Sequence, residues 1–113
     1  MSLSRHDADE VVLVLSNAPD AETAQRIARR LVEGGQAACV NVGAPMRSIY
    51  RWQGEVESAD EIPLFIKTTA ARLQAVREAI AGLHPYEVPE IIAVPITEGL
   101  PAYLDWVRQE TQN

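Results

Sequence analysis

Three short segments of the chain are apolar at nearly every position, unlike a strand that keeps one face in water. They are residues 11–15, 64–66 and 91–94. Successive side chains of a strand point to opposite faces of its sheet, so these segments predict a sheet that is apolar on both faces. Such a sheet needs a cover on each side, and this requirement limits the folds open to the chain.

Local patterns predict the element order β, α, β, β, α, β, followed by a terminal helix. The predicted strands are residues 11–16, 37–42, 47–52, a returning arm of 55–58 and 62–68, and 90–96. Asp20 can cap the first helix, which Gly34 ends, and Thr69 can cap the second. A turn at Gln53 and Gly54 joins the two middle strands, and Pro101 opens the last helix.

This order predicts an α+β, ferredoxin-like split βαβ sandwich with an antiparallel sheet and an extra C-terminal helix. Right-handed crossovers put both main helices on the same face of the sheet. One terminal helix is too small to cover the other face, so we expect self-association through an interface of roughly 800 Å² per partner. In the alternative, the last helix folds under the sheet and closes it in a monomer.

Length and charge restrict the class of protein. The chain has 113 residues, 47% of them hydrophobic, which suits one domain over residues 10–113 after a mobile N-terminal tail of residues 1–9. Its formal net charge of −6 opposes a phosphate-tracking surface, so we expect no nucleic-acid partner. The apolar run 11–15 is too short for a membrane span, and a single cysteine suits the reducing cytoplasm.

The segment LHPYEVPEI, residues 83–91, concentrates side chains that packing does not require. Each proline favours an extended residue before it, so the segment is a stiff connector. A period of two or of three puts His84 and Glu90 on one side, with Tyr86 or Glu87 between them. His84 and Glu90 are then roughly 20 Å apart, so a metal site here must recruit groups from elsewhere. The alternative is a rigid turn with a hydrogen-bonded histidine and solvated carboxylates.

A ligand cleft is the second candidate site. Tyr50 and Trp52 lie on one side of their strand, and Lys67 lies on an otherwise apolar strand. Aromatic walls and a few convergent charges are typical of small-ligand clefts. The predicted lining is Tyr50, Trp52, Glu61, Lys67, Tyr86 and Glu90, beside His84. Alternatively, Lys67 extends from a strand end into solvent. The chain has no glycine-rich phosphate loop, CxxC, HExxH or GxSxG motif, so we expect no enzyme.

Five motifs together resemble the CutA family, the divalent-cation tolerance proteins. They are AACVNV (37–42), SIYRW (48–52), IKTT (66–69), HPYEVPEI (84–91) and YLDWV (103–107). The resemblance runs from about residue 11 to residue 107, and the motifs agree in order. It implies a ferredoxin-like homotrimer similar in architecture to PII signalling proteins, a cytoplasmic setting, and a role in tolerance to copper and other divalent metals. The number three comes from the resemblance alone.

The copper ligands of the family carry over in part. Members proposed to bind copper have a cysteine where this chain has Ser16 and a histidine where it has Leu83. Without a soft thiolate and a second imidazole there, we expect weak copper binding or different ligands. The candidates are His84, Glu87 and Cys39, with His84 first, although a cysteine in a strand is more often a buried apolar residue. No cofactor is required, and Cu²⁺ or another divalent cation is the expected ligand.

The leading hypothesis is a non-enzymatic, trimeric divalent-metal tolerance and binding protein, with sites in clefts between subunits. The alternative is a PII-like signalling trimer that binds a small anionic or nucleotide-like metabolite in the same clefts, through Lys67, Tyr50 and Trp52. Fold analogy alone is a weak basis for function. A scaffold for a partner protein is the third option.

Overall fold

The long strand β4 organises the molecule, because each of its residues pairs with a neighbouring strand. The computed structural model describes residues 8–112. Their elements are β1 (Val11–Ala18), α1 (Ala21–Glu33), β2 (Cys39–Val42), β3 (Met46–Trp52), β4 (Glu55–Thr69), a 3₁₀ turn (Ala70–Arg72), α2 (Leu73–Leu83), β5 (Ile91–Pro95) and α3 (Pro101–Glu110). Helices and an antiparallel sheet therefore combine as the α+β prediction requires.

The sheet has the strand order β2-β4-β1-β5, and all of its pairs are antiparallel. The first half of β4 extends past this sheet and pairs with β3 in a hairpin. Gln53 and Gly54 turn that hairpin with φ angles of 52° and 84°. Two successive residues with positive φ suit the right-handed twist of a hairpin, so the predicted turn is confirmed.

The returning arm is one strand, not the two segments 55–58 and 62–68 predicted from the sequence. Residues 55–61 pair with β3 and residues 62–69 pair with β1. Asp60 and Glu61 interrupt the apolar pattern, but their backbone groups still find partners in β3, opposite Arg47 and Met46. Strand pairing therefore overrides the local sequence signal at this point.

Helix α1 begins and ends at the residues that the sequence predicts. The Asp20 carboxylate accepts a hydrogen bond of 2.8 Å from the Thr23 backbone N–H, and this bond lowers the pKa of Asp20. Gly34 is the C-cap, and Gly35 has a φ of +75°, which favours glycine. The N-cap and the glycine stop therefore fix the helix bounds.

The second and third helices begin differently. Thr69 makes no capping hydrogen bond, so the predicted cap of α2 is wrong, and a 3₁₀ turn leads into the helix instead. Pro101 is the first residue of α3, as predicted, because a proline at that position gives up no helical hydrogen bond.

The main core lies between one sheet face and helices α1 and α2. It contains Val14 and Ile66 from the sheet, Ile27 and Leu31 from α1, and Ile80 from α2, all of them fully buried. Burying each such side chain stabilises the fold by about 1.5 to 3 kcal/mol. Both helices therefore lie on the same face, as predicted.

The opposite face, which we call the open face, is only partly covered. Helix α3 packs Val107 against Val11 and Ala38 at one end. Side chains alternate along β4 and β5, so Phe65, Ile92 and Val94 point away from the main core, and Ile92 is 52% exposed. One terminal helix does not close this face in a single chain, as predicted.

The two ends of the chain add little to the site. Most of the predicted tail, residues 1–9, lies outside the described residues; Ala8 and Asp9 are helical, and Arg108 Nε donates a 2.9 Å hydrogen bond to the Asp9 carbonyl. Within residues 8–112, no helix is long and apolar enough to cross a membrane.

Candidate functional site

A cleft of about 830 Å³ separates the β3–β4 hairpin from the open face and the segment after α2. We call it the hairpin cleft. Its aromatic lining residues are Tyr50, Trp52, Phe65 and Tyr86, and its acidic ones are Glu57, Glu61, Glu87 and Glu90. Five of the six predicted cleft residues therefore line one cavity, and Lys67 is the exception.

His84 fixes the course of the segment that forms one wall of the cleft. Its Nε2 lies 2.6 Å from the Asn17 carbonyl oxygen, and its Nδ1 accepts a hydrogen bond of 3.1 Å from the Tyr86 backbone N–H. These partners assign the proton to Nε2, because Nδ1 acts as the acceptor. The buried imidazole thus joins α2 to β1, and both of its nitrogens already have partners within the chain.

Tyr86 joins the same wall to β4. Its hydroxyl donates a hydrogen bond of 2.9 Å to Glu61, whose side chain is buried at 7% exposure. Desolvation, together with the hydrogen bond and the negative charge of Glu61, raises the pKa of Tyr86 to about 12. The hydroxyl therefore stays protonated and remains a donor at neutral pH.

Glu90 is held at the other end of the wall. The Asn17 Nδ2 group donates a hydrogen bond of 2.9 Å to its carboxylate. Asn17 thus contacts both His84 and Glu90, one through its carbonyl and the other through its side chain. The first strand was predicted to end at residue 16, but β1 runs to Ala18, so Asn17 lies within the strand, and no signal in its local pattern indicated this role.

The cleft is strongly acidic. Four glutamates line it, and no lysine or arginine does among the residues that the structure describes. None of the ion pairs found within residues 8–112 includes Glu61. A buried carboxylate is normally paired with a cation, so the cleft has the electrostatics of a cation site.

Glu57 is a cleft residue that the sequence analysis missed. It lies directly opposite Tyr50 in the β3–β4 ladder, four residues before Glu61. The two-residue period of a strand places both glutamates on the same side. The hairpin prediction, with its turn at Gln53 and Gly54, already contained the signal that could have found it.

Lys67 and Cys39 lie elsewhere on the open face. They are opposite each other in the β2–β4 pair, with Lys67 Nζ 4.0 Å from Cys39 Sγ, and Lys67 also bonds to Asn41. Desolvation raises the pKa of nearby Tyr103, and Cys39 adds to the shift. Phe65 is the last β4 residue that lines the cleft, and Lys67 lies two residues beyond it, about 7 Å farther along the strand.

The three proposed metal ligands do not meet within one chain. Among the described residues, no three His, Cys, Asp or Glu side chains are placed to share a metal ion. Glu87 lines the cleft, His84 is hydrogen-bonded in its wall, and Cys39 lies beside Lys67. A site completed by a second copy stays a prediction.

The chain is similar to known proteins over most of its length. The family described as CutA1 divalent ion tolerance protein matches residues 12–110. Divalent-cation tolerance protein CutA of Thermus thermophilus is 50% identical over 103 residues, which cover 91% of this chain and 98% of that relative. The crystal structure of CutA from Xylella fastidiosa has a TM-score of 0.89 at 44% identity, covering 91% of this chain and 99% of that one.

Relatives differ in length. Protein CutA of Mus musculus is 43% identical over 95 residues, which cover 84% of this chain and 54% of the relative. This chain therefore spans nearly all of the Thermus protein but about half of the mouse protein.

Proposed function

Because the chain belongs to the CutA1 divalent ion tolerance family, we propose that it is a homotrimeric, non-enzymatic protein that binds divalent cations in the hairpin cleft. The observation that carries this proposal is the charge of the cleft. It has four carboxylates and, in the described part of the chain, no basic side chain. Carboxylates are the ligands that hard divalent cations prefer.

The exposed apolar residues of the open face are what support a trimer. The strand order β2-β4-β1-β5, with two helices on one side, supports a ferredoxin-like subunit that presents an apolar sheet face. On that face Phe65, Ile92 and Val94 are partly exposed to solvent. Large apolar side chains are stabilised by burial, so an exposed apolar face favours association. Three copies arranged as in PII proteins bring these faces together and place each cleft beside a neighbouring chain.

A neighbouring chain also completes the coordination. Ca²⁺ and Mn²⁺ need several oxygen ligands around one ion, and a single chain does not assemble three such side chains among its described residues. A second copy beside the cleft supplies the missing ligands. The protein needs no cofactor, and its setting is cytoplasmic.

Copper is the weaker ligand in this proposal. Ser16 and Leu83 replace the cysteine and histidine of the copper-binding pattern, and Cys39 does not line the cleft. Of the three predicted metal ligands, His84, Glu87 and Cys39, we therefore retain only Glu87 as a direct ligand. His84 instead positions the wall that carries Glu87 and Glu90, since its ring bonds to Asn17 and to the Tyr86 backbone.

The anionic-metabolite alternative gains no support from one chain. An anion would have to enter among four carboxylates, and the predicted cation Lys67 lies outside the cleft lining, where it is bonded to Asn41.

Calorimetric titration tests the proposal. Wild-type protein should bind Mn²⁺ or Ca²⁺ saturably, and Glu61→Gln should lower the affinity roughly tenfold, because it removes a buried charge at the site. Glu78→Gln is the matched control, since Glu78 is exposed on α2 outside the cleft. Equal affinities of the Glu61→Gln and Glu78→Gln proteins would remove the cleft from the proposal.

A further inference from the structure

We propose that the hairpin cleft binds a linear organic polycation of the aliphatic polyamine class. The inference uses the acidic cleft of the proposed function but does not require a metal. It rests on how the carboxylates are spaced, on the aromatic side chains beside Glu57, and on a buried charge without a cationic partner.

The cleft carboxylates form a row instead of a cage. Glu57 and Glu61 are four residues apart on one side of β4, so their backbones are about 13 Å apart. The third carboxylate, Glu90, is hydrogen-bonded to Asn17 of β1. Asn17 pairs with Pro63 of β4, and Pro63 lies about 7 Å beyond Glu61 along that strand. A metal ion requires ligands within about 2 to 2.6 Å, so within one chain it can neutralise only one part of the row.

A linear triamine matches the row. Spermidine has ammonium groups separated by three and four carbons, and its end groups are about 11 Å apart when extended. Glutamate side chains are flexible enough to close the difference of about 2 Å, so the two ends can reach Glu57 and Glu61 together. Between these glutamates lies Ala59, and its partner across the hairpin, Ser48, also lines the cleft and offers a hydroxyl acceptor.

Aromatic side chains complete the match to an organic cation. Tyr50 lies directly opposite Glu57, and Trp52 follows on the same side of β3. Aromatic rings attract alkylammonium groups through their negative faces, so these two side chains favour the ammonium group that pairs with Glu57. A strongly hydrated metal ion gains nothing comparable from these walls.

The most buried carboxylate of the cleft has no cationic partner among the ion pairs of the described residues. Glu61 is 7% exposed, and its one hydrogen bond among the described residues comes from the neutral Tyr86 hydroxyl. A carboxylate removed from water without a positive partner creates a demand for a cation in the cleft.

The test compares ligands of different length by calorimetry on the full-length protein. Spermidine should bind about tenfold more tightly than 1,4-diaminobutane, because the longer ligand reaches a second carboxylate. In Glu57→Gln this advantage should disappear, with spermidine binding about as weakly as the diamine. Glu110→Gln, at the exposed end of α3, removes the same charge outside the cleft and should keep the advantage.

Each other outcome overturns the proposal. No saturable spermidine binding excludes a polyamine site, and Mn²⁺ titration of the same samples shows separately whether the divalent site exists. If Glu57→Gln and Glu110→Gln reduce the spermidine affinity equally, the binding comes from the overall charge of −6 and not from the cleft. Tight binding of a lysine-rich peptide without spermidine binding assigns the cleft to a protein partner.

Discussion

The Tyr86 hydroxyl donates a 2.9 Å hydrogen bond to the buried carboxylate of Glu61, which joins the segment after α2 to strand β4. His84 and Asn17 make the second connection, from the same segment to β1. Polar contacts therefore hold the cleft wall to Glu61 and to Asn17, which also bonds to Glu90. Changes at either point should be measurable both in stability and at the cleft.

Tyr86→Phe tests the first connection. Removing the hydroxyl leaves the Glu61 carboxylate with one donor fewer, and since Tyr86 is partly exposed we expect a loss of about 1 kcal/mol in the free energy of unfolding. Urea unfolding at fixed protein concentration measures it. Tyr103→Phe is the control, because Tyr103 is also 38% exposed but makes no contact with a carboxylate among the described hydrogen bonds. Equal losses in the two variants would contradict the assigned role.

The Tyr86–Glu61 pair also predicts a dependence on alkaline pH. The folded pKa of Tyr86 is raised to about 12 from 10.0, so between these values the folded state holds a proton that the unfolded state has lost. Stability from this group is therefore present below pH 10 and is lost as the pH rises towards 12. Spectrophotometric titration of tyrosinate should show that Tyr86 ionises at a strongly raised pH. In Glu61→Gln its pKa should move back towards 10.0. Unchanged titration in that variant would exclude Glu61 as a cause.

His84→Ala tests the second connection. Loss of the ring removes the acceptor of the Tyr86 backbone N–H and the partner of the Asn17 carbonyl. Hydrogen exchange at the Tyr86 amide should become at least about tenfold faster, since each 1.4 kcal/mol of lost protection is one factor of ten. Divalent binding should weaken with it, because Glu87 and Glu90 lose their fixed positions. Normal exchange with lost binding would instead indicate that His84 is a direct ligand.

Val94→Lys tests the open face as an interface between copies. A buried lysine without a partner opposes association, so the variant should shift in light scattering towards the 12.4 kDa of one chain. Val32→Lys is a matched control, because Val32 is also 44% exposed but lies on α1. Wild-type protein with the mass of one chain, or a Val94→Lys protein with unchanged mass, would refute the interface.

The elements of this fold followed largely from local sequence. The Asp20 cap, the glycine stop of α1, the turn at Gln53 and Gly54 and the start of α3 at Pro101 are confirmed. Each depends on the chemistry of a few adjacent residues. The family resemblance is confirmed as well, by the match over residues 12–110. The sequence motifs therefore determined both the fold class and the family.

Contacts between distant residues needed the tertiary structure. His84 bonds to Asn17, which is 67 positions away, and Glu90 bonds to the same residue across 73 positions. The periods of strand and polyproline helix placed His84 and Glu90 on one side of their segment, but they could not say which strand that side faces. For the same reason, local patterns could not show that Lys67 lies outside the cleft lining of a single chain.

The sequence by itself determined which segments are strands, that both faces of the sheet are apolar, and that acidic and aromatic residues cluster in the hairpin and in residues 84–90. The tertiary structure decided that β4 is continuous, and that Glu57 joins the cleft while Lys67 and Cys39 do not. Hydrophobic periodicity is a local property of the chain. The register between strands is set by pairing across the whole sheet.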